Sequence, residues 1–570
     1  MRLLSRPTRT TLAGRPRSRT WRWLALAAVP AAVLVVSLHA AAPLPPQAEA
    51  ALASITASSM AAHIRFLTSP LLEGRVVGHR GNEIAEQYVA AAMEQGALDG
   101  INDRPETRYF QPFEMIGAVR GPGNQLTIRD ESTQSGERVE IGLDFSPINI
   151  SAATQAAGPL VFAGYGITAP EAAYDDYAGI DARGKIVIVL DGSGRFAAGL
   201  GTPTAKVLTA QAHGAAGLLI AGVTDGNRTW PAQVSPKVNR FILPARADNV
   251  ALPVATVSVA FADRLLASST GAPASGAAPA ARSVAALKQA LAAGRTPVSF
   301  DLAGRRATLA IDLVRRRVTV RNVVARVEGG DPALRQELVV IGAHFDANGI
   351  DADGKIYAGA DDDASGTAAV MAVAQAFAQA ARNGARPRRT VVFALWNAEE
   401  KGRGGSTYYA GHPVPEGRRV IFNLNLDHAG RNEEVPVGTT DPRFNGFPAM
   451  APAQNDNVVH LLGYTYVPDA ARVVMEENQA IGLTVKQDYD THVSNLVQRS
   501  DHWSFISIGI PAIFLCTGLH PDYHMPTDTI EKINFPKLEK IARLAYRTAW
   551  RLADQDARPA LVGRSPGKDR

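Results

Sequence analysis

The sequence predicts an α/β protein: a mixed, mostly parallel central sheet covered by helices on both faces, with a β-rich unit inserted into it. Three observations lead there. Continuous apolar runs at 338–343, 391–396, 420–426 and 513–515 read as strands buried on both faces. Helical patterns separate or follow them: an alanine-rich stretch at 367–380, and 537–552 with apolar residues at 538, 541, 545, 549 and 552. Between 158 and 260 the texture changes to short apolar runs (159–162, 185–190, 217–221, 253–257) alternating with glycine turns, the pattern of a compact β-rich unit.

Taken in chain order, the first 50 residues stand apart. They hold seven arginines and one acid, Glu49, and an apolar run from Trp23 to Leu38 followed by Ala40-Ala41-Ala42 and Ala48-Glu49-Ala50. A basic stretch, an apolar run and small residues form an export signal, and this run is short for a spanning helix. The expectation is an exported protein, periplasmic or secreted, with membrane attachment only through this segment if it stays uncleaved. Without those residues the remaining 52 basic and 53 acidic residues nearly balance, so the formal net charge of +5 is no footprint for nucleic acid. Residues 82–97 read as a helix, with strands near Phe110 and Leu126. Residues 270–283, rich in Gly, Ala, Pro and Ser, read as a surface loop. The single cysteine, Cys516, allows no intrachain disulfide and sits in an apolar run as a small buried hydrophobe.

In open parallel sheets, functional residues gather where strands end. Here His344-Phe345-Asp346 follows the first apolar strand, and Gly359-Ala360-Asp361-Asp362-Asp363-Ala364-Ser365-Gly366 precedes the alanine-rich helix. Asn397-Ala398-Glu399-Glu400 follows the second strand, Asp427-His428 the third, and a loop with His520, Asp522, Tyr523 and His524 the fourth. Crowded carboxylates repel and call for cations; imidazoles mixed with carboxylates suit zinc. The count suggests two ions, each with one His and one carboxylate, and a fifth carboxylate bridging them. Spacing alone leaves Asp361, Asp362 and Asp363 open as that bridge.

These motifs, with Asn425-Leu426-Asp427, Ser500-Asp501-His502 and Tyr523-His524 through Asp528-Thr529, resemble the co-catalytic di-zinc aminopeptidase family. That family includes secreted bacterial leucyl aminopeptidases and glutamate carboxypeptidase II. Gly184 through Val189, with Ala212 through Gly217, resembles a protease-associated domain. The resemblance implies a zinc-exopeptidase-like fold and two zinc ions per chain. It implies His344 and Asp427 on one ion, Glu400 and His524 on the other, and Asp362 bridging, with a cis peptide bond after it. It further implies Glu399 as general base, Asp346 orienting His344, and Tyr523 donating to the oxyanion. His428 is read as a neighbour, and His502 and His520 as structural or substrate-side. One departure is Arg403, where family members carry an apolar residue.

The expected domains are residues 1–50 as signal or anchor, 51–145 and 301–556 as two parts of a peptidase domain, 146–300 as the protease-associated domain, and 557–570 as a tail. The expected activity is a metallo-aminopeptidase acting on peptides with a free N-terminus. The alternatives are a carboxypeptidase- or dipeptidase-like hydrolase on the same core, which needs a basic cluster for a substrate carboxylate, and a receptor-like protein that has lost its ligands. A single-zinc cyclase lacks the first His, and His344 argues against it.

Overall fold

In the computed structural model, the described residues run from 43 to 562, apart from 197, 223–240, 268–281, 295 and 352. Residues 1–42, on which the expectation of export rests, most of the Gly/Ala/Pro/Ser-rich stretch and the tail from residue 563 lie outside them. Two sheets carry the architecture. The larger has nine strands in the order 241–242, 110–120, 313–327, 390–396, 337–344, 419–426, 512–516, 458–462, 484–486. Its centre is parallel: Glu337–His344 pairs in parallel with Thr390–Trp396 and Arg419–Leu426, and the latter with Ala512–Cys516. Antiparallel pairs flank that centre, through Leu313–Val327 on one side and Val458–Leu462 on the other.

Burial of the central strands explains their unbroken apolar runs. Alternate residues point to opposite faces. Val339, Ile341, Val391 and Phe393 therefore enter one core, while Leu338, Val340, Val392 and Ala394 enter another. The first core is covered by helices Pro46–Leu52, Ala57–Leu67, Gly366–Arg382 and Phe535–Asp554. The second is covered by Gly404–Gly411 and His502–Ile506, through Tyr409 and Phe505. The alanine-rich helix is buried on nearly every side, which is why small residues fill it. The closing helix starts at a capped end, with Asn534 Oδ1 accepting from Lys537 N at 3.2 Å and a proline in its first turn.

The fold corrects the first domain boundary. Residues 46–52 do not belong to a separate N-terminal segment ending at 50. Ala48 and Ala51 are fully buried in the first core, Tyr546 donates to the Ala48 carbonyl at 3.0 Å, and Arg547 pairs with Glu49 at 2.9 Å.

The second sheet has eight strands in the order 136–139, 125–130, 299–310, 155–163, 186–190, 217–221, 254–257, 145–147. It is parallel from 155–163 through 254–257 and antiparallel at both edges. It extends beyond residues 146–300, because strands 125–130 and 299–310 pair with each other across it. A two-stranded ribbon joins the sheets. Phe110–Arg120 pairs with Leu313–Val327 in the first, and the chain passes directly into 125–130 and 299–310 of the second. At the crossing Gly121 N donates to the Asp312 carbonyl at 2.8 Å, and Asn124 Nδ2 donates to both the Gly121 and Asp312 carbonyls.

An ion triple of buried His460 and Glu433 with the exposed Asp488 ties two loops to the edge of the first sheet. His460 Nε2 lies 3.1 Å from Glu433 Oε2 and its Nδ1 2.9 Å from Asp488 Oδ1, while Tyr489 donates its hydroxyl to Glu433. Burial opposes the charge on His460, but Asp488 and Glu433 outweigh it and raise its pKa above the usual value. With the folded pKa above the unfolded value of about 6.5, the stabilisation is complete below that pH and is lost as pH rises through the folded pKa. His460→Gln is expected to lower unfolding stability by about 2–4 kcal/mol near pH 6 and by less near pH 9. Urea unfolding of both proteins across that range checks it; a pH-independent difference refutes it.

Candidate metal centre

Four predicted ligands follow the end of a buried strand or precede the helix it feeds, and His524 lies in the loop after strand Ala512–Cys516. His344 is the last residue of its strand, and its N–H donates to Asp363 Oδ2 at 3.1 Å. Its carbonyl accepts from Thr367 Oγ1 at 2.7 Å. Three consecutive aspartates follow Gly359, whose positive φ of 59° turns the chain into the helix. The peptide bond after Asp362 is cis, as the resemblance implied.

The structure brings all five expected ligands to one centre, in two groups that share Asp362. His344, Asp362 and Asp427 form one group and Asp362, Glu400 and His524 the other, with ligand atoms within 4.8 Å of one another in each. Asp362 divides its oxygens: Oδ1 lies 3.2 Å from His344 Nε2, and Oδ2 lies 3.0 Å from His524 Nε2. Asp427 Oδ1 is 3.7 Å from His344 Nε2, and Glu400 Oε2 is 3.2 Å from His524 Nε2.

Two of the carboxylates have one oxygen tied down and the other presented. Asp427 Oδ2 accepts from Ser500 Oγ at 2.6 Å, itself held by Asn425 Nδ2 at 2.7 Å. Glu400 Oε1 accepts from Asn348 Nδ2 at 2.5 Å. Asp528 accepts from the Asp361 and Asp362 N–H groups at 3.0–3.1 Å and fixes the backbone of the bridging residue.

The neighbouring aspartates face elsewhere. Asp361 accepts from Gly430 N at 2.6 Å, Ser365 Oγ at 3.2 Å and His520 Nε2 at 3.1 Å. Asp363 accepts from His344 N and Gly366 N. Of the three, only Asp362 turns its carboxylate to both groups. His520 sits on Asp361, and His502 is buried against Phe514.

Asp346 lies beside His344, with its carboxylate Oδ1 3.6 Å from His344 Nδ1. Its carbonyl oxygen lies 3.2 Å from His344 Nδ1, while its carboxylate accepts from Glu399 N at 2.9 Å and Glu400 N at 3.3 Å. One residue thus places the imidazole and the paired glutamates together. Tyr523 sets its ring at a tilt against both His524 and His428, at centroid distances of 3.9 and 4.9 Å, and its hydroxyl accepts from Arg499 at 3.1 Å. Arg403 is absorbed by the Gln498 carbonyl at 2.9 Å, so it steadies the segment that leads to Ser500.

One contributor carries no sequence signal near the site. Arg75 is fully buried and left-handed at φ 47°. It donates to the carbonyls of Phe345 at 2.7 Å, Ala358 at 2.7 Å and Gly359 at 3.1 Å, clamping the two loops that carry His344 and Asp362.

The electrostatics ask for cations. Burial opposes ionisation of Asp362, yet His428, His344 and His524 outweigh it and hold its pKa well below the usual range. Burial pushes Glu399 well above its usual value, with Asp501, Glu400 and Asp427 adding to the rise. His344 Nε2 and Asp427 Oδ1 are buried, face each other, and have no hydrogen-bond partner. Buried polar atoms are rarely left so, and this donor set of nitrogen and carboxylate oxygen is that of zinc.

Comparison with known proteins agrees. Residues 322–549 match the peptidase family M28 model, and residues 156–265 match the PA domain model. The chain is 31% identical over 220 residues to a protein of Arabidopsis thaliana described as "Probable glutamate carboxypeptidase", covering 37% of this chain and 27% of that protein. It is 37% identical over 266 residues to an aminopeptidase of Pseudomonas aeruginosa, covering 42% of this chain and 43% of that one. The matched region thus spans less than half the length of either relative. Among solved structures, the aminopeptidase from Aneurinibacillus sp. strain AM-1 has the same fold, with a TM-score of 0.56 at 20% identity, covering 91% of this chain and 98% of that one. Residues 322–549 are thus similar to peptidase family M28, and residues 156–265, ahead of them in the chain, to the PA domain.

Proposed function

We propose that this chain is a zinc-dependent aminopeptidase that removes residues from the free N-terminus of peptides. The observation that carries the reading is the sharing of Asp362 by two His–carboxylate groups. In this reading His344 and Asp427 hold one zinc, Glu400 and His524 the other, and Asp362 bridges. Bound there, two zinc ions lower the pKa of a shared water and polarise the scissile carbonyl.

The chain's own residues supply the rest. Glu399 bears no ligand duty and is placed by its N–H on Asp346, so its carboxylate accepts the attacking water's proton and passes it to the leaving amine. Tyr523, with Arg499 on its hydroxyl, faces the same centre and donates to the developing oxyanion. Ser500, Asn348 and Asp528 keep the carboxylates from rotating, which preserves geometry through the reaction.

The carboxypeptidase alternative needs free cations for a substrate carboxylate. Arg431 is neutralised by Asp522 at 2.9 Å, which leaves Arg499 without a basic partner from that side. Export also belongs to this reading. Removal of the N-terminal segment at Ala40-Ala41-Ala42 spares the helix Pro46–Leu52, whereas removal at Ala48-Glu49-Ala50 cuts it.

The test is a panel of aminoacyl chromogenic substrates with N-blocked controls, each with and without a chelator. Free aminoacyl substrates are expected to turn over, blocked ones not, and chelation to abolish turnover. Cleavage of blocked substrates alone overturns the aminopeptidase assignment.

A further inference from the structure

We propose that Arg246, a residue of the inserted unit, is a positioning residue for Glu399. The proposal rests on the aminopeptidase reading above and extends it to the insertion.

Segment 241–248 lies between Arg120 and Leu313 and so belongs to the insertion, yet it is built into the first sheet. Phe241 and Ile242 pair with Gly117 and Ile116 at that sheet's edge. Asp248 accepts from Arg317 Nη2 through both of its oxygens at 3.2 Å. Anchored at both ends, the segment lies against the turn that follows strand Thr390–Trp396. Phe241 is buried in one cluster with Phe113, Met115 and Ala398. Arg246 Nη2 donates to the Gly402 carbonyl at 3.3 Å.

That turn runs from Ala398 to Arg403 and carries both glutamates. Gly402 N and Arg403 N donate to the Glu399 carbonyl at 2.8 and 2.7 Å, and Gly404 N donates to the Ala398 carbonyl at 2.8 Å. Three residues of the turn are left-handed: Ala398 at φ 63°, Gly402 at 93° and Arg403 at 60°. Residues with side chains persist in that region only where their surroundings hold them.

The two glutamates are held unequally. Glu400 is fixed through its side chain, by Asn348 at 2.5 Å and beside His524 at 3.2 Å. Among the described residues, Glu399 is hydrogen-bonded only through its backbone, with its N–H on Asp346 and its carbonyl inside the turn. Its carboxylate therefore goes where the turn goes, and Arg246 is the insertion's polar hold on that turn. Stability does not account for Arg246. Burial and then the like charge of Arg403 oppose its own charge and lower its pKa. Its removal relieves that repulsion, so the effect on turnover comes from the geometry of the turn.

Turnover of free aminoacyl chromogenic substrates by the full chain tests this, with zinc content and unfolding midpoint measured on the same samples. A displacement of about 1 Å at a reacting group costs up to about 100-fold, so Arg246→Ala is expected to lower kcat by about 10-fold with KM changed by less than about twofold. Zinc content and midpoint should stay as in the unsubstituted chain. Arg246→Lys keeps a donor for the Gly402 carbonyl and is expected to bring kcat back to within about threefold. An unchanged kcat in Arg246→Ala overturns this proposal alone. So does a fall in kcat that comes with lost zinc or a lowered midpoint and that Arg246→Lys does not recover, since Arg246 then belongs to the scaffold. An unsubstituted, zinc-loaded chain that turns over no free aminoacyl substrate overturns the aminopeptidase reading itself, and this proposal with it.

Discussion

Glu399→Gln is expected to keep both metal ions bound while kcat falls by about 10²–10⁴-fold. The substitution preserves size and the N–H donated to Asp346, so the loop and its ligand Glu400 stay in place. What disappears is the proton acceptor. KM is expected to change little, because the residue acts on the transition state rather than on the bound substrate. Glu400→Gln is the informative contrast. It weakens one metal site, since Oε2 lies 3.2 Å from His524 Nε2, and the loss of activity should be partly reversed by added zinc. Kinetics beside metal analysis of both variants separate the roles. Full activity in Glu399→Gln moves the base elsewhere. The first place to look is Asp501, a buried carboxyl that burial pushes up to about 7 and that acts electrostatically on Glu399.

Metal removal is expected to have the second large effect, on stability as well as on turnover. Asp362, Asp427, Glu400 and Glu399 crowd one centre, and two of its atoms have no other partner. A ligand present at 100 to 1,000 times its Kd stabilises a native state by about 2.7–4.1 kcal/mol, so two ions contribute about 5–8 kcal/mol. That is a large share of the roughly 5–15 kcal/mol that separates folded from unfolded domains. Excess chelator should therefore lower the midpoint of thermal unfolding, and zinc should restore it. In Asp362→Ala, which removes the shared ligand, the midpoint should be low from the start and insensitive to chelator. A midpoint that chelator leaves untouched in the unsubstituted chain, with no zinc found in it, ends the metal-centre reading.

The centre was legible because the sheet writes it in the sequence. A strand buried on both faces is an unbroken apolar run, and the polar residue that ends it projects at the sheet's carboxyl edge. His344, Asp427 and the paired glutamates each follow such a run. Which aspartate faces both groups was not legible from spacing; it depends on hydrogen bonds that turn Asp361 and Asp363 away. Arg75 was invisible for another reason, since it reaches Phe345 across 270 residues of chain. Of the ribbon strands, 299–310 and 313–327 escaped as well. Arg305, Arg306, Arg315, Arg316 and Arg317 interrupt any apolar pattern there. The helix Pro46–Leu52 hid beside the export segment, where its alanines resemble a cleavage region.

The junction between the sheets says something about modularity. Arg120 and Leu313 sit opposite each other as cross-strand partners. Everything between them is, topologically, one greatly enlarged hairpin tip. Two residues are enough to cap a pair of antiparallel strands, so splicing a tight turn there should leave most of the host sheet and every expected zinc-ligating side chain intact. Among the described residues, the only strand the host sheet forfeits is the two-residue edge piece at Phe241–Ile242. Nature can gain or discard such a module in a single step without rethreading the catalytic half.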